Sequence, residues 1–151
     1  MSPASNRIAL VAARWHADIV GQAVAACRAG LAKHGYTDVD VIEVPGAFEI
    51  PLRIKRLAAS GRYAGLAGCA LVIDGGIYRH EFVAATVVDA LMRVQLDTDV
   101  PVFSAVLTPH HFHEHDEHRT FFYEHFQVKG REVAKACTET VEALDRLPVA
   151  A

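Results

Sequence analysis

Cysteine is scarce in this 151-residue chain: Cys27, Cys69 and Cys137 are odd in number and widely spaced, and no Cys-x-x-Cys pair occurs. A zinc ribbon or a thioredoxin-like centre therefore lacks its ligands. The three thiols, each set in an apolar segment, read as reduced packing residues of a cytosolic protein. Basic charge is short too. Lys and Arg number 15 against 18 Asp and Glu, for a formal net charge of −3, and they form no long run. The usual electrostatic case for a nucleic-acid partner is missing. No apolar run approaches a membrane span, so no membrane association is expected. Met1 to Asn6 is short and polar, without the apolar region of a signal peptide, which implies a flexible N-terminus and a cytoplasmic protein. Internal repeats and linkers are absent, and a single domain over 1–151 is expected.

What is present is largely apolar: 52% of the residues are hydrophobic and 22% charged. That is more apolar surface than a lone small domain needs, and it implies a homo-oligomer. Ile8 to Ala13 is an uninterrupted apolar run, as expected of a strand covered on both faces. Ile19, Ala23, Cys27 and Leu31 then recur every fourth residue, predicting a helix from Ala17 to His34 with a stop at Gly35. Val39 to Val44 alternates as a strand and breaks at Pro45-Gly46; Ala47 to Ser60 carries helical spacing, with Pro51 tolerable near the first turn. A third strand is expected over Gly65 to Ile73, a helix over Phe82 to Leu96, and a fourth strand over Val100 to Leu107. Thr108 to Tyr123 is rich in histidine and poor in apolar periodicity, and a last helix is marked by Val133, Cys137, Val141 and Leu144.

A β-α unit repeated four times with short connections predicts an α/β protein of three layers, α/β/α, with a flavodoxin-like four-stranded parallel sheet. Ligands of such sheets lie beyond the carboxyl ends of the strands, so the post-strand segments should share one rim. These are Arg14-Trp15-His16, Gly46 to Glu49, Asp74 to His80 and Thr108 to His118. They gather the only Trp, many of the histidines and the glycine-rich turns. Asp74-Gly75-Gly76-Ile77-Tyr78-Arg79-His80 reads as a tight loop opening a helix. Glycine backbone N–H groups and a helix N-terminus there suit an anion, while an ordinary βα turn is the bland alternative.

Five motifs together carry a family resemblance: ARWHADI around Trp15, VPGAFEIP over Val44 to Pro51, VIDGGIYRHEFV over Val72 to Val83, VPV over Val100 to Val102, and Lys129-Gly130. In order and spacing the chain resembles the 6,7-dimethyl-8-ribityllumazine synthases of riboflavin biosynthesis. The histidine-rich TPHHFHEH of Thr108 to His115, with Asp74, resembles the variant subgroup from rhizobia and brucellae, which implies pentamer-based decamers. The family reaction condenses 5-amino-6-ribitylamino-pyrimidinedione with 3,4-dihydroxy-2-butanone 4-phosphate, and the resemblance implies no cofactor and no metal.

Trp15 offers the pyrimidine a stacking surface, with His16 beside it a further substrate-binding candidate; a core anchor is the other reading of Trp15. By the resemblance Ala47, Phe48 and Glu49 would contact the ribityl chain, with Gly46 ahead of them a further substrate-binding candidate and Glu49 accepting from hydroxyls, although Glu49 fits a first-turn helix-dipole carboxylate equally well. Val72 and Ile73 would read the pyrimidine edge through the backbone, and Gly76 and Ile77 would cradle phosphate. The family's catalytic histidine falls at Arg79 here, with His80 one place later. Either His80 reaches in as the acid-base group, or Arg79 substitutes electrostatic stabilisation; a guanidinium does not titrate near neutral pH and is no base. For the substrate phosphate, Arg119 is the candidate, supported by His118 and Lys129. Ser104 stands where the family has an aromatic residue supplied by a neighbouring subunit.

His110, His111, His113, His115 and His118 also invite a metal reading, but the run lacks the His-Glu-x-x-His helix of common metalloproteases, and an interface loop is the default. A flavin-binding module could use the same Trp15 platform, since riboflavin resembles the lumazine product in shape, and a purely structural cage protein is the remaining non-enzyme reading.

Overall fold

The structure, a computed structural model, describes residues 5–73, 79–108 and 116–147, with the side chains of 116–118 outside the description. Four strands, β1 (Ile8–Ala13), β2 (Val39–Val44), β3 (Gly65–Leu71) and β4 (Val102–Leu107), alternate with four helices. The helices are α1 (Ala17–Lys33), α2 (Ile50–Ala59), α3 (His80–Thr98) and α4 (Asp116–Asp145). All strand pairs are parallel, and the order across the sheet is β2-β1-β3-β4. This is the flavodoxin-like order, whose switch point lies between β1 and β3.

The two central strands are buried along their whole length, which is why they read as unbroken apolar runs. Their alternate residues feed two cores. Ile8, Leu10, Ala12, Ala67, Cys69 and Leu71 face α1 and α4, whereas Ala9, Val11, Ala13, Leu66 and Ala70 face α2 and α3. The α1/α4 contact is close because small residues meet there. A Cβ on Gly30 would stand 2.7 Å from the Ala134 Cβ; one on Gly130 would stand 2.9 Å from the Ala26 Cβ and press into the Ala23 carbonyl. Lys129-Gly130 is thus partly a packing motif. Among the described residues, no helix is long and apolar enough to cross a membrane.

Several boundaries differ from the sequence expectation. The last helix begins at Asp116 rather than after Tyr123, because Phe122 and Phe126 continue the four-residue spacing of its buried face; Phe126 is fully buried. Ala47–Glu49 forms a single 3-10 turn ahead of α2, and β3 stops at Leu71, two residues early. Helix α3 begins at His80, with Arg79 as its extended N-cap.

Candidate functional site

After β1 the chain turns sharply. The Arg14 N–H still donates to the Val44 carbonyl at 2.9 Å, and His16 then adopts a left-handed conformation with φ 56°. The His16 carbonyl accepts from the N–H groups of Ile19 and Val20 and so opens α1. Between these two fixed points Trp15 projects into solvent, 61% exposed. Such exposure rules out the core-anchor reading and leaves an indole face open to a ligand.

Gly46 lies directly beneath that ring. A Cβ at Gly46 would sit 3.9 Å from the indole carbons and 3.3 Å from a Glu49 carboxylate oxygen, so glycine leaves Trp15 and Glu49 room to share one corner. Pro51 occupies the first turn of α2, where its missing N–H costs nothing. The 3-10 turn buries Ala47 and leaves Phe48, 70% exposed, and Glu49 facing outward. Glu49 is the N-cap of α2 without a side-chain capping bond, so its carboxylate is not committed to closing the helix.

The third wall is the end of β3. Leu71 and Val72 are buried, and the Val72 N–H donates to the Leu107 carbonyl at 2.8 Å. Together with Ala13 and Pro45 from the strand ends and Val83 from the first turn of α3, these segments enclose a cleft of about 360 Å³. The cleft is mostly apolar, with one carboxylate at its edge, and no Lys or Arg is among the described residues that line it. A mainly apolar pocket with few fixed polar groups at the switch point suits a flat heteroaromatic molecule carrying a polar tail.

His80, the first residue of α3, directs Nδ1 to a Glu81 carboxylate oxygen at 3.1 Å. The Arg79 guanidinium lies over the Phe82 ring, 5.5 Å from its centroid. Both residues follow residues 74–78 in the sequence. Gly76 and Ile77 belong to that segment and lie outside the described residues, as do the side chain of His118 and the run from His110 to His115. Among the described residues no cluster of three or more His, Cys, Asp or Glu side chains could hold a metal.

Three further candidates lie apart from the cleft within one chain. Arg119 is ion-paired with Asp18 in the first turn of α1. Lys129 binds Glu132, one turn along α4, at 2.9 Å. Ser104 is exposed in the middle of β4, opposite Gly68, and its Oγ accepts from the Val106 N–H at 3.2 Å. Sequence reasoning did not single out Ala13, Pro45, Leu71 or Val83 as lining residues; their positions at strand ends and in a helix first turn are the signal that could have found them.

Fold and cleft together define a class: a doubly wound α/β protein with an apolar cleft at its switch point, bordered by one exposed indole and one carboxylate. A family model for 6,7-dimethyl-8-ribityllumazine synthase matches residues 5–145, and the chain belongs to that family of riboflavin biosynthesis enzymes. It is 58% identical over 145 residues to 6,7-dimethyl-8-ribityllumazine synthase 2 of Pseudomonas syringae pv. tomato, covering 95% of this chain and 85% of that one. It is 57% identical to the synthase of Rhodococcus erythropolis, over 95% of this chain and 94% of that one. To synthase 2 of Bradyrhizobium diazoefficiens it is 56% identical, over 94% and 86%.

Proposed function

We propose that the cleft between Trp15 and the end of β3 is where 5-amino-6-ribitylamino-pyrimidinedione condenses with 3,4-dihydroxy-2-butanone 4-phosphate to give 6,7-dimethyl-8-ribityllumazine. The observation that carries this reading is the convergence of Trp15, Gly46–Glu49 and Leu71–Val72 on one cleft. The pyrimidine ring stacks on Trp15, with His16 beside it. The Val72 N–H is engaged by Leu107, so edge reading at that residue falls to its carbonyl, with Ile73 next to it. The ribityl chain runs along Ala47, Phe48 and Glu49, whose carboxylate accepts from hydroxyls. Gly76 and Ile77 cradle the phosphate ahead of α3.

The chemistry asks for little beyond positioning and proton transfer. The pyrimidine 5-amino nitrogen attacks the ketone carbonyl, and water leaves to form an imine. Proton loss and departure of phosphate follow, and the ribitylamino nitrogen closes the ring with loss of a second water. His80 is the acid-base group of this reading, with Glu81, a carboxylate oxygen of which lies 3.1 Å from its Nδ1, as the group that would orient the ring. Arg79 adds positive charge near the departing phosphate.

The positions of Ser104 and Arg119 support a homo-oligomer. Ser104 is exposed on an edge strand, where a neighbouring copy can reach it, and Arg119 stands apart from the cleft of its own chain. Pentamers pairing into decamers fit this arrangement, with Arg119, His118 and Lys129 serving phosphate once assembled. The test is incubation with both substrates while monitoring the fluorescent lumazine, beside a riboflavin titration. Product formation that falls with Trp15→Ala supports the reading; riboflavin binding without product would replace it with a flavin-binding module.

A further inference from the structure

We infer that His16 is a positioning residue: its left-handed backbone, rather than its imidazole alone, aims Trp15 across the cleft. The inference rests on Trp15 being the stacking platform. Among the described residues only two non-glycine residues have positive φ, His16 at 56° and Asp99 at 60°. Asp99 ends α3 and lies far from the cleft in the fold, where a left-handed residue is an ordinary helix stop. His16 instead begins a helix, where the N-cap is normally extended. Its conformation therefore serves something other than capping.

The geometry shows what that is. Arg14 is held to Val44 by its N–H, and the His16 carbonyl is held to the N–H groups of Ile19 and Val20. Trp15 stands between Arg14, the last residue bonded to the sheet, and His16, the N-cap of α1, so with both ends held the His16 dihedrals constrain those of Trp15 and with them the direction in which its side chain leaves. With His16 left-handed, the indole lies against Gly46 and lines the cleft. With Arg14 held to the sheet and α1 held by its packing, an extended or right-handed residue 16 would have to be compensated at Trp15, and that compensation rotates the ring off Gly46. Histidine, asparagine and glycine enter the left-handed region readily, alanine less so, and a β-branched residue least.

Four substitutions separate backbone from imidazole, because all remove the ring: His16→Gly and His16→Asn keep access to the left-handed region, while His16→Ala and His16→Val oppose it. Trp15 is the only tryptophan, so intrinsic fluorescence reports its surroundings directly. Expected are a shifted emission maximum and roughly tenfold weaker binding of 6,7-dimethyl-8-ribityllumazine in His16→Val relative to His16→Gly, with Ala and Asn falling in the same order. Asp99→Val is the matched control: it imposes comparable strain and should lower thermal stability while leaving Trp15 emission and ligand affinity alone. Equal affinity across the four His16 variants would overturn the inference and assign His16 a purely side-chain role. A Trp15→Ala variant that binds the lumazine as well as the parent protein would instead remove the platform reading, whatever the His16 series does.

Discussion

The guanidinium of Arg119, near the start of α4, is ion-paired with the carboxylate of Asp18 in the first turn of α1, one turn beyond Trp15. Both side chains are substantially exposed, at 34% and 54%, so the pair contributes only about 0–1 kcal/mol to stability. An arginine so lightly held is readily recruited by a phosphate, which it can grip with two parallel hydrogen bonds. Asp18→Asn should therefore change the melting temperature little and tighten inorganic phosphate binding several-fold. Arg119→Ala should weaken it. If neither substitution moves phosphate affinity, measured calorimetrically, Arg119 is not the phosphate ligand.

Two glycines in helices should respond oppositely to alanine. A methyl at Gly130 drives into the Ala23 carbonyl and the Ala26 methyl, and separating α1 from α4 disturbs the core around Cys27 and Phe126. Overpacking of that kind costs about 1–3 kcal/mol, more than the roughly 1 kcal/mol of helix propensity that alanine returns. Gly21 in α1 has nothing within 4 Å of its would-be Cβ, so Gly21→Ala keeps the propensity gain alone. Denaturant unfolding should show Gly130→Ala less stable and Gly21→Ala slightly more stable than the parent protein.

The thiols give the protein an alkaline limit. Burial pushes Cys27, Cys69 and Cys137 each up to about 12 from an ordinary 9.0. Above pH 9 the unfolded chain releases these protons while the folded chain keeps them, so stability falls as pH rises towards 12 and is unaffected below 9. Each thiol approaches about 1.4 kcal/mol lost per pH unit in that window. Urea midpoints measured at pH 8 and pH 10.5 should drop, and replacing Cys69 with alanine should flatten the slope. A slope identical in parent and variant would show that another group governs the decline.

Catalysis should divide between His80 and its neighbour. His80→Ala should lower kcat by about 10²–10⁴-fold, the usual range for a positioned acid-base group, with a smaller change in substrate affinity. Glu81→Gln removes the carboxylate but keeps an acceptor for Nδ1–H, so its loss should be well below that of His80→Ala. Turnover that survives His80→Ala intact would leave Arg79, held over Phe82, as the electrostatic alternative.

The sheet was legible because β1 and β3 are buried on both faces and so carry no polar interruption, and α1 because its buried residues recur every fourth position. The start of α4 was not. Its apolar stripe there consists of Phe122 and Phe126 alone, set among histidines and charges that hide the spacing. The cleft's signals were uneven for a similar reason. Trp15 and Gly46–Glu49 announce themselves by residue type, whereas Ala13, Leu71 and Val83 look like any core residue, and only the fold brings them to the rim. The left-handed His16 left no mark in the sequence, because histidine adopts extended and right-handed conformations far more often than the left-handed one, and its neighbours do not single out the latter. Lys129-Gly130 was read as a family motif, while the pairing of Gly130 with Ala23 and Ala26 on α1 explains the glycine by helix packing.

Every cysteine of the chain is sealed in the interior, Cys27 and Cys69 at 1% exposure and Cys137 at 2%. For a maleimide or a spin label the folded surface is therefore chemically blank. One cysteine introduced at an exposed position such as Ser60, behind α2 and away from the cleft, would be a unique attachment point. Each copy of the chain would then carry a single dye, so counting dyes per particle in bleaching steps would count subunits.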